Sequence, residues 1–374
     1  MKTILVILGT RPEAIKLAPV ILELRHNSAF EVLICNTEQQ KELSNQTLDY
    51  FGVKSDFSLN AMSPNQTLAG AQVRILNALE NIYRDVQINA TIIQGDTMSA
   101  FCGALVSFYN KIPIFHIEAG LRSYDNFEPY PEEALRQMIA RIADLHFVPT
   151  QKAYTALIQE NITKEKIFIT GNTVVDTLKC LSSDTMKKAE EHLKSLHIEL
   201  NDKLVFITVH RRENFGSRLE HILSAIIQLT QDFKSHQFVF SVHPNPNVYN
   251  RVVERLGGGL PNVILTNSLD YPETIYLIKS AKLILTDSGG IQEEAPAFGT
   301  PVLVMRYETE RIEGIEAGFS RLVGADEYEI LKEARNILRE SRDKTRLEGI
   351  KNPYGDGKAS LRISLAIRNF GGVK

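Results

Sequence analysis

The chain has 374 residues, 43% of them hydrophobic and 23% charged, with a formal net charge of −3. That length supports two ordinary domains with real cores and excludes a disordered chain, while the interspersed charges offer no basic face and argue against nucleic acid as a partner. Three widely spaced cysteines, Cys35, Cys102 and Cys180, give neither a disulfide framework nor a metal spacing and read as packing residues in a reducing compartment.

From the N-terminus, "MKTILVILGT" holds too short an apolar run for a secretory signal, and no stretch approaches 18 apolar residues. A cytoplasmic protein without a membrane partner is expected. Apolar runs of strand length follow at 3–8, 30–35, 90–94, 112–117, 145–148 and 166–170, several apolar throughout, as strands covered on both faces must be. Helical periods such as 13–25 and 132–143 lie between them. This wiring predicts a doubly wound parallel sheet. Residues 171–202 turn polar and Lys/Glu-rich, and a second series of apolar runs begins at 204–209, 237–242, 262–266, 282–286 and 301–305. The expected organisation is an N-terminal α/β domain over 1–172, a linker region over 173–202 and a C-terminal α/β domain over 203–357. A closing helix at about 358–374 is free to pack back on the first domain. Ligands of open parallel sheets sit beyond the carboxyl ends of the strands, so two Rossmann-like domains facing across a cleft would line it with the loops that follow each apolar run.

Those loops carry the candidate chemistry. After the first run, "GTRPEAIK" sets Arg11 and Lys16 near a helix start whose free N–H groups favour an anion; the alternative is a plain strand-to-helix turn with surface cations. Asp96, in "QGDTMSAF", occupies a turn where capping is the simpler reading. Glu118, in "HIEAGLRS", holds the same position after the next run, and Glu is a poor cap. Glu132 and Glu133 follow Pro131 at a helix start, where the helix dipole alone favours carboxylates. Crowded or desolvated carboxylates acquire raised pKa values, so such a set can take a proton at one place and give one at another. It lacks the close histidines of a zinc site, leaving magnesium as the alternative.

In the second half, "ITVHRRENFG" places His210, Arg211 and Arg212 just past a run; guanidinium forks match phosphate oxygens, and interdomain salt bridges are the alternative. His243, in "VHPNPN", either faces the cleft or belongs to a loop stiffened by two prolines. "LILTDSGGIQEE" supplies Ser288, Gly289 and Gly290, small enough for backbone N–H groups to approach phosphate. Glu294 follows one helical turn beyond Gly290, where a carboxylate repels phosphate but accepts hydrogen bonds from a diol. A nucleoside diphosphate offers both groups.

The strings "GTRPEAIKLAPV", "GDT", "EAGLR", "PYPEEALR", "FITGNTVVDTL", "TVHRREN", "LILTDSGGIQEEAP", "GTPVLVMR", "TER" and "NPYGDGKAS" come in the order and spacing of the non-hydrolysing UDP-N-acetylglucosamine 2-epimerases, and the chain resembles that family from Lys2 to about Ala366. The resemblance implies a glycosyltransferase-B type fold and a homodimer. It also implies reversible conversion of UDP-N-acetylglucosamine to UDP-N-acetylmannosamine for bacterial polysaccharide precursors, without a redox cofactor, by elimination and re-addition of UDP through a 2-acetamidoglucal. It assigns Asp96, Glu118, Glu132 and His210 to catalysis, and Arg11, Lys16, Ser288, Gly289, Gly290, Glu294 and Arg311 to substrate binding, which Arg211 and His243 join on the residue reading above.

Departures from the family pattern stand at Gln40 and Lys41, in place of His and Arg, which bears on activation by a second substrate molecule. Others stand at Leu269 and Thr274 near the expected base contacts, and at Leu135 and Ile312. The rival readings are a hydrolysing epimerase, against which "GTRPEAIK" rather than "GSRAEYG" counts, an enzyme for a related acetamido or uronate nucleotide sugar, a glycosyltransferase of the same fold, and a non-catalytic nucleotide-sugar sensor.

Overall fold

The computed structural model describes residues 1–63, 66–340 and 350–371. The chain divides into two compact units, Met1–Leu181 with Tyr354–Lys374, and Ser182–Pro353. In the first, β1 (Lys2–Leu8), α1 (Arg11–Arg25), β2 (Phe30–Asn36), α2 (Lys41–Tyr50), β3 (Phe57–Ser58), α3 (Leu68–Asp85), β4 (Ala90–Gln94), α4 (Met98–Tyr109), β5 (Ile114–Ile117), α5 (Glu132–Ile142), β6 (Leu145–Val148), α6 (Gln151–Gln159), β7 (Ile167–Ile169) and α7 (Thr173–Cys180) alternate along the chain. The second unit runs α8 (Ser183–Ser195), β8 (Leu204–Val209), α9 (Ser217–Asp232), β9 (Gln237–Val242), α10 (Pro246–Leu256), β10 (Val263–Thr266), α11 (Tyr271–Ser280), β11 (Leu283–Thr286), α12 (Gly289–Glu294), β12 (Val302–Val304), α13 (Ile312–Glu316), β13 (Ser320–Leu322) and α14 (Glu327–Arg339). The chain then returns to the first unit for α15 (Ala359–Asn369).

Both sheets are wholly parallel, in the order β3-β2-β1-β4-β5-β6-β7 and β10-β9-β8-β11-β12-β13. The central strands are covered on both faces, which is why β1, β4, β5 and β11 are buried and mostly apolar along their length rather than alternating. In the first unit Leu5, Ile7, Ile75, Phe101 and Ile139 belong to one buried cluster; in the second Val205, Leu223, Phe238, Leu285 and Ile330 do. The doubly wound α/β fold class expected from the sequence is observed in each unit.

One expectation needs correction. Residues 173–202 are not a linker: α7 belongs to the first unit, and α8, beginning at Ser183, belongs to the second. Asp176 and Asn172 build α7 into its unit, and on α8 Ala189 and Leu193, one helical turn apart, form a narrow buried face. The closing helix does pack back on the first unit, against α1 and α7, so that unit is discontinuous in sequence. Two short strands, β3 and β13, have too few residues to show a period.

In each sheet the strand order reverses once, between β1 and β4 and between β8 and β11. The helices that follow such a pair diverge to opposite faces and leave a crevice at the carboxyl ends, the usual ligand position of this architecture. The turns after β1 and β4 carry Arg11 and Asp96. Those after β8 and β11 carry His210 and Ser288 to Gly290.

Candidate active site

In the first unit, Gln94 of β4 pairs with Ile117 of β5, so Asp96 and Glu118 issue from adjacent strand ends. Asp96 does not cap α4; Thr97 does, its hydroxyl accepting from the Ala100 N–H at 3.0 Å. Freed from that role, the Asp96 carboxylate lies 3.2 Å from Arg136 Nε, and the same guanidinium lies 3.4 Å from Glu133. Gly95, at φ +68°, makes the turn, and its carbonyl is held by His116 Nε2 at 2.8 Å. Burial, opposed only by that hydrogen bond, takes the His116 pKa down to about 4. The ring is therefore neutral near pH 7 and donates its Nε2–H.

Glu118 adopts φ +60°, a left-handed conformation costly for a residue with a β-carbon. Its side chain is 9% exposed, and Oε2 takes both the Lys16 ammonium and the Asn172 amide, the latter at 3.3 Å. Lys16 is equally buried, so each charge is compensated by the other.

The turn before α1 differs from the anion cradle its sequence invites. Arg11 N–H donates to Gln40 Oε1 at 3.0 Å, Pro12 has no N–H, and Glu13 N–H donates to the Thr10 hydroxyl. The first backbone donors of α1 are thus used within the protein, and Lys16 faces a carboxylate. Glu13, unremarked in the sequence reading, is fully buried: Oε2 accepts from Gly9 N–H, Thr10 N–H and the Thr10 hydroxyl at 2.8–3.0 Å, and Oε1 from the Thr97 hydroxyl at 2.6 Å. Burial outweighs those hydrogen bonds and raises its pKa to about 7. One carboxylate joins the turn bearing Arg11 to the turn bearing Asp96.

Glu132 is the first residue of α5 and half-buried. Its neighbour Glu133 is fully buried and accepts from the N–H groups of Ser123 and Tyr124 at 2.9 and 3.2 Å and from Gln137 at 2.7 Å. Burial pulls the Glu133 pKa upward, but these donors and Arg136 together hold it below the ordinary value. Of the two glutamates, Glu133 anchors the loop before α5, while Glu132 is the one with partial access to solvent.

In the second unit, Asp287 organises the strand ends. It is fully buried and accepts from His210 N–H at 3.1 Å, Arg211 N–H at 2.9 Å, and Asn214 Nδ2 at 3.0 Å, with His210 Nδ1 also at 3.0 Å. Burial raises its pKa, and the His210 ring with the Arg211 N–H and Asn214 more than offsets this, leaving it below the ordinary value. A carboxylate on Nδ1 fixes that nitrogen as the protonated one and leaves Nε2 for a ligand. The His243 ring stacks 5.9 Å from His210; it is exposed, and its Nδ1 accepts the Asn245 N–H at 3.2 Å.

Around α12 lies a cluster of guanidiniums. Arg306 pairs with Glu213 and Glu310 at 2.6 and 3.2 Å, and Arg311 with Glu293 and Glu310 at 3.0 and 3.1 Å. Glu310 is held down to about 2, burial being overcome by Arg311 and Arg306. Arg211 Nε is buried without a hydrogen-bond partner among the described residues, and burial followed by Arg306 and Arg311 lowers the Arg211 pKa. A group in that position gains most from an added anion. A β-carbon at Gly289 would stand 2.9 Å from the Arg311 guanidinium carbon, so a side chain there would have to move that guanidinium. Ser288 provides no side-chain cap to α12, and Glu294, the last residue of that helix, is buried.

The expected site residues therefore gather at the two reversal points, Arg11, Lys16, Asp96 and Glu118 at one, His210, Arg211, Ser288, Gly289, Gly290 and Arg311 at the other. Glu132, His243 and Glu294 flank them. Sequence reasoning missed Glu13, His116, Arg136, Asn172 and Asp287. The pattern Thr10-x-x-Glu13 is a visible capping-box signal, a histidine inside the apolar run 112–117 is another, Asn172 is an N-cap type directly before a helix, and Asp287 lies one position past the run 282–286; Arg136 had none.

The family model described as UDP-N-acetylglucosamine 2-epimerase matches residues 22–368. A Salmonella typhimurium protein named UDP-N-acetylglucosamine 2-epimerase is 42% identical over 372 residues, covering 98% of each chain. The crystal structure of a UDP-GlcNAc 2-epimerase from Neisseria meningitidis bound to UDP-GlcNAc superposes with a TM-score of 0.92 at 38% identity, over 99% of this chain and all of that one. A Methanocaldococcus jannaschii UDP-GlcNAc 2-epimerase in complex with UDP-GlcNAc and UDP gives 0.82 at 32% identity, with 99% and 100% covered.

Proposed function

The chain belongs to the UDP-N-acetylglucosamine 2-epimerase family, and from that premise we propose that it interconverts UDP-N-acetylglucosamine and UDP-N-acetylmannosamine by inverting C2. The observation that carries the assignment of residues is Glu118. It is a nearly dry carboxylate in a left-handed conformation, paired with Lys16 and issuing beside Asp96.

The C2–H bond breaks as a carboxylate takes the proton; its electron pair forms the C1–C2 double bond of a 2-acetamidoglucal, and UDP departs with the C1–O pair. UDP then adds back to C1 while C2 receives a proton on the opposite face. Inversion needs one group to take a proton and one to give it, and Asp96, Glu118 and Glu132 are the acids assigned to those steps. The C2 hydrogen is weakly acidic, so leaving-group stabilisation shares the work. We assign that to His210, oriented by Asp287, with Arg211, Arg311, the Ser288 hydroxyl and the amides of Gly289 and Gly290 at the start of a helix without a side-chain cap. Arg11 and Lys16 are read as substrate-binding, and the use of the α1 amides within the protein supports a role through their side chains. His243 and Glu294 complete the set, at the diphosphate and the ribose hydroxyls respectively.

The proposal includes a cytoplasmic homodimer supplying surface-polysaccharide precursors. Three free cysteines support the compartment, and the family resemblance supports the assembly and the pathway class.

The test is proton NMR of UDP-N-acetylglucosamine incubated with the protein in deuterated water. Deuterium entering C2 while a second nucleotide sugar accumulates is the expected result. Free sugar would mark a hydrolase, and an untouched C2 would mark a transferase or a sensor. Asp96→Asn and Glu118→Gln are expected to fold and to lose exchange; near-wild-type turnover in both would remove their assigned roles.

A further inference from the structure

Two of the strings that carry the family resemblance, "FITGNTVVDTL" and "NPYGDGKAS", have no part in the chemistry above, yet the fold brings them together. Asn172 N–H donates to the Tyr354 carbonyl at 2.7 Å. Gly171, at φ +90°, lets the two backbones approach, since a β-carbon there would stand 3.3 Å from that carbonyl oxygen and 3.4 Å from Gly355 Cα. Asp176 accepts from the Ala359 and Ser360 N–H groups at 3.1 and 2.9 Å, and Lys179 Nζ reaches the carbonyls of Asp356 and Gly357 at 3.2 and 3.1 Å. The segment by which the chain re-enters the first unit is thus fastened along the length of α7.

The buried Asn172 side chain divides its amide between two tasks. Oδ1 accepts from Val174 N–H at 3.0 Å and caps α7, which turns Nδ2 to Glu118 Oε2 at 3.3 Å. The cap requires an acceptor and the carboxylate requires a donor, so the amide has one orientation that serves both. We propose that Asn172 is a positioning residue that fixes the Glu118 carboxylate against Lys16, and that the re-entering segment at Tyr354 holds Asn172 in place to do so. This rests on the reading of Glu118 as a proton-transfer group.

The test compares Asn172→Ser, Asn172→Asp and Glu118→Gln by C2 deuterium exchange, by kcat and KM, and by the pH dependence of kcat. Serine still caps α7 but is too short to reach Glu118. N172S is expected to lose tenfold or more in kcat with KM within twofold and an unfolding midpoint near wild type. Aspartate keeps both cap and volume but sets a second carboxylate against Glu118. N172D is expected to lose kcat and to move the acid limb of its profile to higher pH; it decides the matter if N172S is unstable. N172S at wild-type kcat, or N172D with an unshifted profile, beside an E118Q protein that has lost exchange, overturns the positioning role alone. An E118Q protein that keeps exchange overturns the assignment of Glu118 and this proposal with it.

Discussion

Replacing Glu13 by glutamine should make the protein less sensitive to alkali, and the size of the effect follows from burial. The wild-type carboxyl titrates at about 7 in the folded protein, against an ordinary glutamate value of 4.5. Below 4.5 both folded and unfolded chains hold the proton, and the folded state bears no charge penalty. Between 4.5 and 7 the unfolded chain releases the proton while the folded chain retains it, so stability falls as pH rises; above 7 both are ionised and the loss is complete. At 1.36 kcal/mol per unit this amounts to about 3 kcal/mol. Glutamine keeps the capping box, can place its oxygen against Gly9 and Thr10, and can donate to the Thr97 hydroxyl, but it does not titrate. The stability difference between Glu13→Gln and wild type, measured by thermal unfolding at matched pH values, is expected to grow by about 3 kcal/mol from pH 4.5 to pH 8, or roughly 6–12 °C in Tm. Every other titrating group cancels in that difference. A difference that stays flat across the range would show that the four hydrogen bonds, not desolvation, dominate at this site.

Asp287→Asn presents an N–H₂ where four donors converge, so it should lower kcat at least tenfold by releasing the His210 ring while leaving KM less affected, checked by steady-state kinetics. Gly289→Ala drives a β-carbon against the Arg311 guanidinium and is expected to weaken UDP binding about tenfold in calorimetry, close to 1.4 kcal/mol. Arg136→Met leaves Glu133 buried without its cation and should destabilise the fold by roughly 3 kcal/mol, read from urea unfolding.

The strands were legible because a strand covered on both faces needs an apolar residue at nearly every position, and that requirement is written locally. Legibility of the site followed from the same signal, since most of its residues lie one to four positions past the ends of such runs; Lys16, Glu132, Glu294 and Arg311 lie further along the following segments. Helix α8 was hidden for the complementary reason: with only Ala189 and Leu193 buried, its face is too narrow to stand out from a Lys/Glu-rich surface. The supporting residues were hidden because their partners are remote in sequence. Thr97 and Glu13 are 84 positions apart, His210 and Asp287 are 77 apart, and Asn172 and Glu118 are 54 apart. No periodicity reports such a pair.

The two reversal points solve one problem with one device. Where the order of a parallel sheet reverses, adjacent strand ends turn into helices on opposite faces, and the N–H groups of those turns lack a ladder partner. A buried carboxylate satisfies them in both units: Glu13 gathers the turn after β1 to that after β4, and Asp287 gathers the start of the turn after β8 to the end of β11. Their surroundings then part company. Glu13 has only hydroxyl and backbone donors, so burial prevails and its pKa rises to about 7; Asp287 adds an imidazole able to carry charge, and its pKa falls. As pH drops from 8 to 5 the Asp287 carboxylate accordingly stays ionised, while the Glu13 clamp beside Asp96 takes up a proton and exchanges one accepted hydrogen bond for a donor. Acidification should therefore change the charge of the Glu13 clamp before that of the Asp287 clamp.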